Sequence, residues 1–312
     1  MTELGELRVG TRASLLARTQ AQTVADRLAP VVDGPVRLVP ITTDGDTTSR
    51  PLTDFGGSGV FVSALRDALR RGEVDLAVHS LKDLPTEPDD DVLLAAVPAR
   101  EDPRDVVVAR DGLTLAELPT GARVGTGSPR RAAQIHALGL GLEVVGIRGN
   151  VDTRIAKVAA GDVDAVVLAR AGLARLGRLD DVTEVLDPLL MLPAPGQGAL
   201  ACECRSDAGE VATLVRTVLD DPAARTAVTA ERTLLNGLEA GCTAPVGALA
   251  DVALGDEGEE IWLRAVVAHL SGSPLIRMSA TGSTDDAAGV GRRLAAEMLS
   301  RGAAELCQEL VS

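Results

Sequence analysis

Val124-Gly125-Thr126-Gly127-Ser128-Pro129-Arg130-Arg131 reads as a short apolar strand turning into a helix, with glycines at the turn, Ser128 as N-cap and Pro129 at the first helical position. The outline of this stretch is present once before, as Val9-Gly10-Thr11 followed by Ser14. A second matching pair follows in the same order: Gly72-Glu73-Val74-Asp75-Leu76-Ala77-Val78 resembles Gly161-Asp162-Val163-Asp164-Ala165-Val166-Val167. One strand-to-helix turn can resemble another by chance. Two ordered matches instead predict duplicated α/β domains. The second copy is shorter because it has no counterpart of the polar, glycine-bearing residues 44–59.

The surrounding pattern supports this. Residues 7–10 and 36–41 read as strands, 14–28 as a helix, 61–71 as a second helix and 74–78 as an apolar strand. Strands alternating with helices predict a mostly parallel sheet, with ligands gathering at the carboxyl ends of its strands. Proline-bearing stretches at 98–103 and 192–196 bracket the second copy. The chain is therefore expected to leave the first domain, build the second and return, enclosing a central cleft between hinged domains. Residues 199–204 would be a strand added back to the first domain. Beyond residue 208 the pattern changes to helices at 211–219 and 223–235, strands at 261–270 and 275–280, and a long helix from about 285, a smaller α+β domain. The expected boundaries are 1–98 with 197–218, then 99–196, then 219–312.

With 45 acidic against 31 basic residues the net charge is −14, which argues against nucleic acid or an anionic membrane as partner. One Trp, two Phe and no Tyr leave no stacking platform for single strands. No apolar run reaches the length of a signal peptide or a membrane span, so cytoplasmic residence is expected. The four cysteines and three histidines show no zinc-ligand spacing, and no metal is expected. Cys202 and Cys204 share one strand face and read as packing residues, as Cys307 does in the terminal helix.

Against this acidic background the arginines stand out. Arg130 and Arg131 fall on the first turn of a helix, where backbone N–H groups and the positive dipole end already favour an anion. The bland reading is a solvated arginine-rich helix. Arg12, Lys82, Arg148, Arg154 and Arg175 extend the set, and so many cations point to a ligand with several carboxylates or phosphates. No phosphate-binding loop or dinucleotide fingerprint accompanies them, which narrows the ligand to a polycarboxylate. His79-Ser80-Leu81-Lys82-Asp83-Leu84-Pro85 follows an apolar strand, so Asp83 stands where a carboxylate can steady a developing cation or exchange a proton. Taken alone it could be a polar turn; Arg12 and Ser14 at the equivalent earlier turn favour a site. Gly241-Cys242-Thr243-Ala244-Pro245 sets one cysteine in a glycine- and proline-bounded loop, available as a nucleophile.

Together with Gly10-Thr11-Arg12-Ala13-Ser14, Arg148-Gly149-Asn150-Val151-Asp152-Thr153-Arg154 and Pro195-Gly196-Gln197-Gly198, these motifs resemble the porphobilinogen deaminase family over almost the whole chain. The resemblance implies two α/β domains like those of type II periplasmic binding proteins plus a C-terminal domain. It implies a dipyrromethane cofactor, thioether-linked through Cys242, on which four porphobilinogen units are joined with loss of ammonia and released as a linear tetrapyrrole. By position it implies a catalytic Asp83, and cofactor or substrate contacts from Arg12, Ser14, Gln20, Phe61, Ser80, Lys82, Thr126, Ser128, Arg130, Arg131, Arg148, Gly149, Asn150, Arg154, Arg175 and Gln197. Residues 54–59 carry no lysine where the family often does. A monomer is expected. The rival reading is a noncatalytic protein that merely closes on an anionic solute.

Overall fold

The computed structural model describes residues 5–42, 59–240, 244–255 and 258–308, with the side chains of 59–61 and 308 left out. The chain divides into two compact units, Met1–Glu101 with Ala199–Arg225 and Asp102–Gly198 with Thr226–Ser312.

The first unit contains β1 (Leu7–Arg12), α1 (Leu15–Leu28), β2 (Val36–Ile41), α2 (Gly59–Arg70), β3 (Leu76–Ser80) and β4 (Val92–Ala96). After the second crossing come β10 (Leu200–Arg205) and α6 (Gly209–Leu219). Its sheet has the order β2-β1-β3-β10-β4, with β10 antiparallel to both neighbours. Alternation along the strands explains why both faces are covered: Leu76 and Val78 point to α1 and α6 with Val24, Leu28, Cys202, Val215 and Leu219, whereas Ala77 points to Leu65 and Leu69 of α2. Strand β3 begins two residues later than its apolar run predicts. Val74 packs instead into the α2 layer, and ladder pairing starts with Leu76 opposite Val9.

The second unit repeats this plan with β5 (Asp105–Ala109), β6 (Arg123–Thr126), α3 (Pro129–Ala137), β7 (Glu143–Gly146), α4 (Val151–Ala159), β8 (Ala165–Ala169), α5 (Arg170–Arg175) and β9 (Glu184–Val185). The order is β7-β6-β8-β5-β9, and here β5 is antiparallel to β8 and β9. Position by position this is the order of the first sheet. In each, the antiparallel strand is the first one after a crossing, so the duplication read from the sequence extends to connectivity. The fold is mixed α/β, as expected.

The same unit also contains α7 (Pro222–Gly237), β11 (Val246–Gly255), β12 (Gly258–Ala268), β13 (Leu275–Ser283), α8 (Ala287–Ser300) and α9 (Ala303–Gln308), although the first residues of α7 group with the first unit. Strand β11 is absent from the sequence reading, because its small residues carry a weak strand signal. The antiparallel sheet β11-β12-β13 buries Ala248, Ile261, Leu263, Ala265 and Val267 against Leu234, Val290, Leu294 and Met298 of the helices. Its other face receives Leu192 from the return crossing, and Ala248 N–H donates to Pro193 O at 2.9 Å. Cys202 and Cys204 are buried as expected, and Cys307 packs against the C-terminal core. Among the described residues no helix is long and apolar enough to cross a membrane, and no cluster of acidic, Cys and His side chains is arranged to hold a metal.

Candidate active site

In the first unit, β1 and β3 are parallel neighbours, so their carboxyl ends emerge side by side. Strand β1 ends at Arg12, and Ser14 caps α1 by accepting the Ala17 N–H at 3.4 Å. Strand β3 ends at Ser80 and runs straight into a 3-10 turn, Leu81–Asp83. Lys82 and Asp83 are half-buried there. Gln20 is buried on α1, and its Nε2 lies 3.2 Å from Ser80 Oγ, which ties the helix to the strand end. Leu81 N–H donates to Ala199 O at 3.0 Å and anchors the turn to the residue before β10.

The second unit places two helix N-termini together. Strands β6 and β7 are parallel, Thr126 opposite Gly146, and each leads into a capped helix. Ser128 Oγ accepts the Arg131 N–H at the start of α3, and Thr126 Oγ1 accepts the Ser128 N–H at 3.1 Å. Asn150 Oδ1 accepts the N–H and hydroxyl of Thr153 at 2.9 and 2.8 Å at the start of α4. Gly149 sits at φ +110°, where a Cβ would also meet Thr153 Cγ2 at 2.7 Å. The two positive dipole ends share an edge with Arg148, which is exposed, and Arg154, whose Nε donates to Gly149 O at 2.8 Å. Burial first, and then the charges of Arg131 and Arg148, make the Arg154 guanidinium hold its proton less tightly than an ordinary arginine.

Arg130 and Arg131 are not solvated. They are 3% and 5% exposed and share one fully buried carboxylate, Asp105, at 2.8 Å each. Arg130 also donates to Leu192 O at 2.5 Å and Arg131 to Val167 O at 3.0 Å. The protein thus supplies one of the anions that the arginine pair calls for. Burial pushes the Asp105 carboxyl up, but Arg130, Arg131 and Gln197 outweigh it and hold the group well below the usual carboxylate range. Gln197, also buried, donates through Nε2 to Asp105 Oδ1 and to Pro103 O, both at 2.7 Å. Arg175 Nη2 donates to Gly198 O at 2.6 Å. The return crossing is fixed again by Glu231 of α7, a buried carboxylate accepting from Gly196 N–H at 2.6 Å and from Ala250 N–H at 2.9 Å.

The structure therefore gathers Arg12, Ser14, Gln20, Ser80, Lys82 and Asp83 at one strand edge of the first unit. It gathers Thr126, Ser128, Arg131, Arg148, Gly149, Asn150 and Arg154 at the corresponding edge of the second, with Arg130, Arg175 and Gln197 beside the crossing. Cys242 lies outside the described residues, as do 43–58, and only the backbone of Phe61, on α2, is described. Asp105, Glu203 and Glu231 escaped the sequence reading. Nothing in their immediate sequence marks these acids out, and only their distant basic or backbone partners give them meaning.

The acidic dipyrromethane that the resemblance implies fits the second unit's donors. Arg130 Nε and Arg131 Nε are buried without an acceptor among the described residues, and Arg154 is crowded by like charge. Both mark a local deficit of negative charge, which pyrrole carboxylates would meet.

A family model described as "Porphobilinogen deaminase, dipyromethane cofactor binding domain" matches residues 7–213, and the C-terminal domain of the same family matches 225–300. Similar curated proteins include the porphobilinogen deaminase of Nocardia farcinica, 57% identical over 98% of this chain and 89% of the relative. Porphobilinogen deaminase 1 of Streptomyces coelicolor is 58% identical over 99% of both chains. The Mycobacterium tuberculosis protein of that name is 58% identical over 96% of this chain and 98% of its own. Among solved structures, an ancestral cationic amino acid solute binding protein aligns over 68% of this chain and 87% of its own, with 19% identity and a TM-score of 0.45. On the two family matches and on this identity across nearly its full length, the chain belongs to the porphobilinogen deaminase family.

Proposed function

We propose that the chain is a transferase that joins four porphobilinogen molecules head to tail, with loss of ammonia, into the linear tetrapyrrole hydroxymethylbilane. It belongs to tetrapyrrole and haem biosynthesis and acts in the cytoplasm as a monomer. When bound, the dipyrromethane supplies the free pyrrole α-position to which the first unit is added. Asp83, at the carboxyl end of β3, is the catalytic residue: its carboxylate faces the pyrrole nitrogens and steadies the cation left when the substrate's aminomethyl group departs as ammonia. Lys82, Ser80, Arg12 and Ser14 hold the substrate's acetate and propionate, and Gln20 keeps Ser80 in place through its 3.2 Å contact. Arg131, Arg148 and Arg154, with the N–H groups around Ser128, Gly149 and Asn150, hold the acidic side chains of rings already joined. Arg130, Arg175, Thr126 and the ring of Phe61 complete these contacts, and Gln197 serves them from behind the arginine pair. Cys242 carries the thioether, in a third domain of residues 219–312.

The observation that carries this reading is the convergence of Arg131, Arg148 and Arg154 on two adjoining helix N-termini, in a chain of this family whose net charge is −14. An oligomer that gains two carboxylates with every ring uses several such donors; a single small anion does not. The test is the intact mass of the purified protein. Wild type should exceed the polypeptide mass by a dipyrromethane and release ammonia from porphobilinogen, and Cys242→Ser should lose both. Turnover by protein of bare polypeptide mass would refute the covalent primer, and absence of both adduct and ammonia release would leave the solute-binding alternative.

A further inference from the structure

Asp105 is the first residue of β5, directly after the outward crossing, and it is 0% exposed. Its two oxygens take Arg130 Nη2 and Arg131 Nη2 at 2.8 Å each, and Oδ1 also accepts from Gln197, which lies in the return crossing. Among the described residues, two guanidinium charges against one carboxylate leave a buried surplus of one positive charge. Both Nε groups remain without an acceptor among the described residues, and Asp105 Oδ2 meets Arg130 as an ion pair without an aligned hydrogen bond. Such a cluster is incomplete by itself, because a buried cation and buried N–H groups each lack a counterpart. Without Asp105 two neighbouring cations would repel and splay apart. With two carboxylates nothing would remain to attract a ligand.

We propose that Asp105, steadied by Gln197, is a positioning residue that aligns the Arg130–Arg131 pair and trims its charge to the amount that one carboxylate of the bound pyrrole chain completes. The inference rests on the reading that these arginines hold the acidic pyrroles. Gln197 Nε2 also donates to Pro103 O at 2.7 Å, so the outward and return crossings are stitched where the arginine pair is anchored. A slip between them moves Asp105, and with it both guanidinium groups.

Asp105→Asn strips a buried charge and lowers the melting temperature whatever its role, so Gln197→Met, which keeps volume but removes the donors, carries the test. Gln197→Met should lower the melting temperature less than Asp105→Asn does, reduce the fraction of chains bearing the dipyrromethane by intact mass, and raise KM for porphobilinogen about tenfold with kcat of the adduct-bearing fraction little changed (about 1.4 kcal/mol). In a double-mutant cycle with Arg131→Lys, the two effects should be clearly non-additive, because Gln197 acts through the arginine pair. Additive effects, or a Gln197→Met protein with wild-type KM and adduct fraction, overturn the positioning role alone. An Arg131→Lys protein that itself keeps wild-type KM and adduct fraction overturns both this inference and the ligand reading beneath it.

Discussion

Replacing Glu203 by Gln should destabilise the first unit by about 3 kcal/mol at neutral pH and remove the share of that unit's acid sensitivity that Glu203 carries. Glu203 lies on β10, buried to 3% exposure, and is bound by both arms of Arg66, Nη2 to Oε1 at 2.7 Å and Nε to Oε2 at 3.1 Å. His79 Nε2 lies 3.2 Å from Oε2. Burial opposes ionisation, but His79 and Arg66 outweigh it and bring the carboxyl from an ordinary 4.5 down to about 2. At about 1.4 kcal/mol per pH unit, that gap corresponds to about 3 kcal/mol, in line with the cost of breaking a buried ion pair from one side. The sign follows from the lowered value. The stabilisation is fully present above pH 4.5 and is lost as pH falls through about 2. The gap between wild type and Glu203→Gln should therefore be widest at pH 7 and close between those two values. Urea unfolding followed by far-UV circular dichroism at pH 7, 4 and 3, with hydrogen exchange at the β3 and β10 amides, would measure it. Fluorescence would not, because the single tryptophan, Trp262, is in the other unit. A difference of under about 1 kcal/mol at pH 7, or one that does not narrow in acid, would refute the reasoning.

Asp83→Asn should keep the fold and the adduct mass while losing roughly 100-fold or more in ammonia release, the scale of one lost acid–base or charge-stabilising group; turnover near wild type removes Asp83 from the chemistry. Gly125→Val should cost about 1–3 kcal/mol by overpacking, since a Cβ at that position already lies 2.8 Å from Ile147 Cδ1 and 3.2 Å from Val166 Cγ1. Melting followed by Trp262 fluorescence would check this, and an unchanged midpoint would show that the neighbours yield without strain.

Much of the fold was legible because it is encoded locally. The ordered matches around Gly10 and Gly125 announced two copies of one α/β plan, and Ser14, Ser128 and Asn150 cap the helices that follow. Hydrophobic alternation located most strands. It passed over β4, β5 and β9 as well as β11, where small residues blur the pattern, and placed β3 two residues early because Val74 is apolar for packing against α2 and not for the ladder. The placement of candidate site residues at strand ends was legible for the same reason: the turn that makes the fold also sets where the side chain stands.

Long-range pairing was not legible. The sequence by itself determined the duplicated architecture, the family motifs and the abundance of arginines beside helix starts. Only the tertiary structure decided that Arg130 and Arg131 are buried and share Asp105, 26 residues from Arg131 and 92 from Gln197, and that Glu203 answers Arg66 across 137 positions. Caps and alternation act over a few residues of chain and leave a mark in the sequence there. Buried charge compensation depends on which strands become neighbours, and a lone aspartate or glutamate between apolar residues carries no local sign of the cation it will meet.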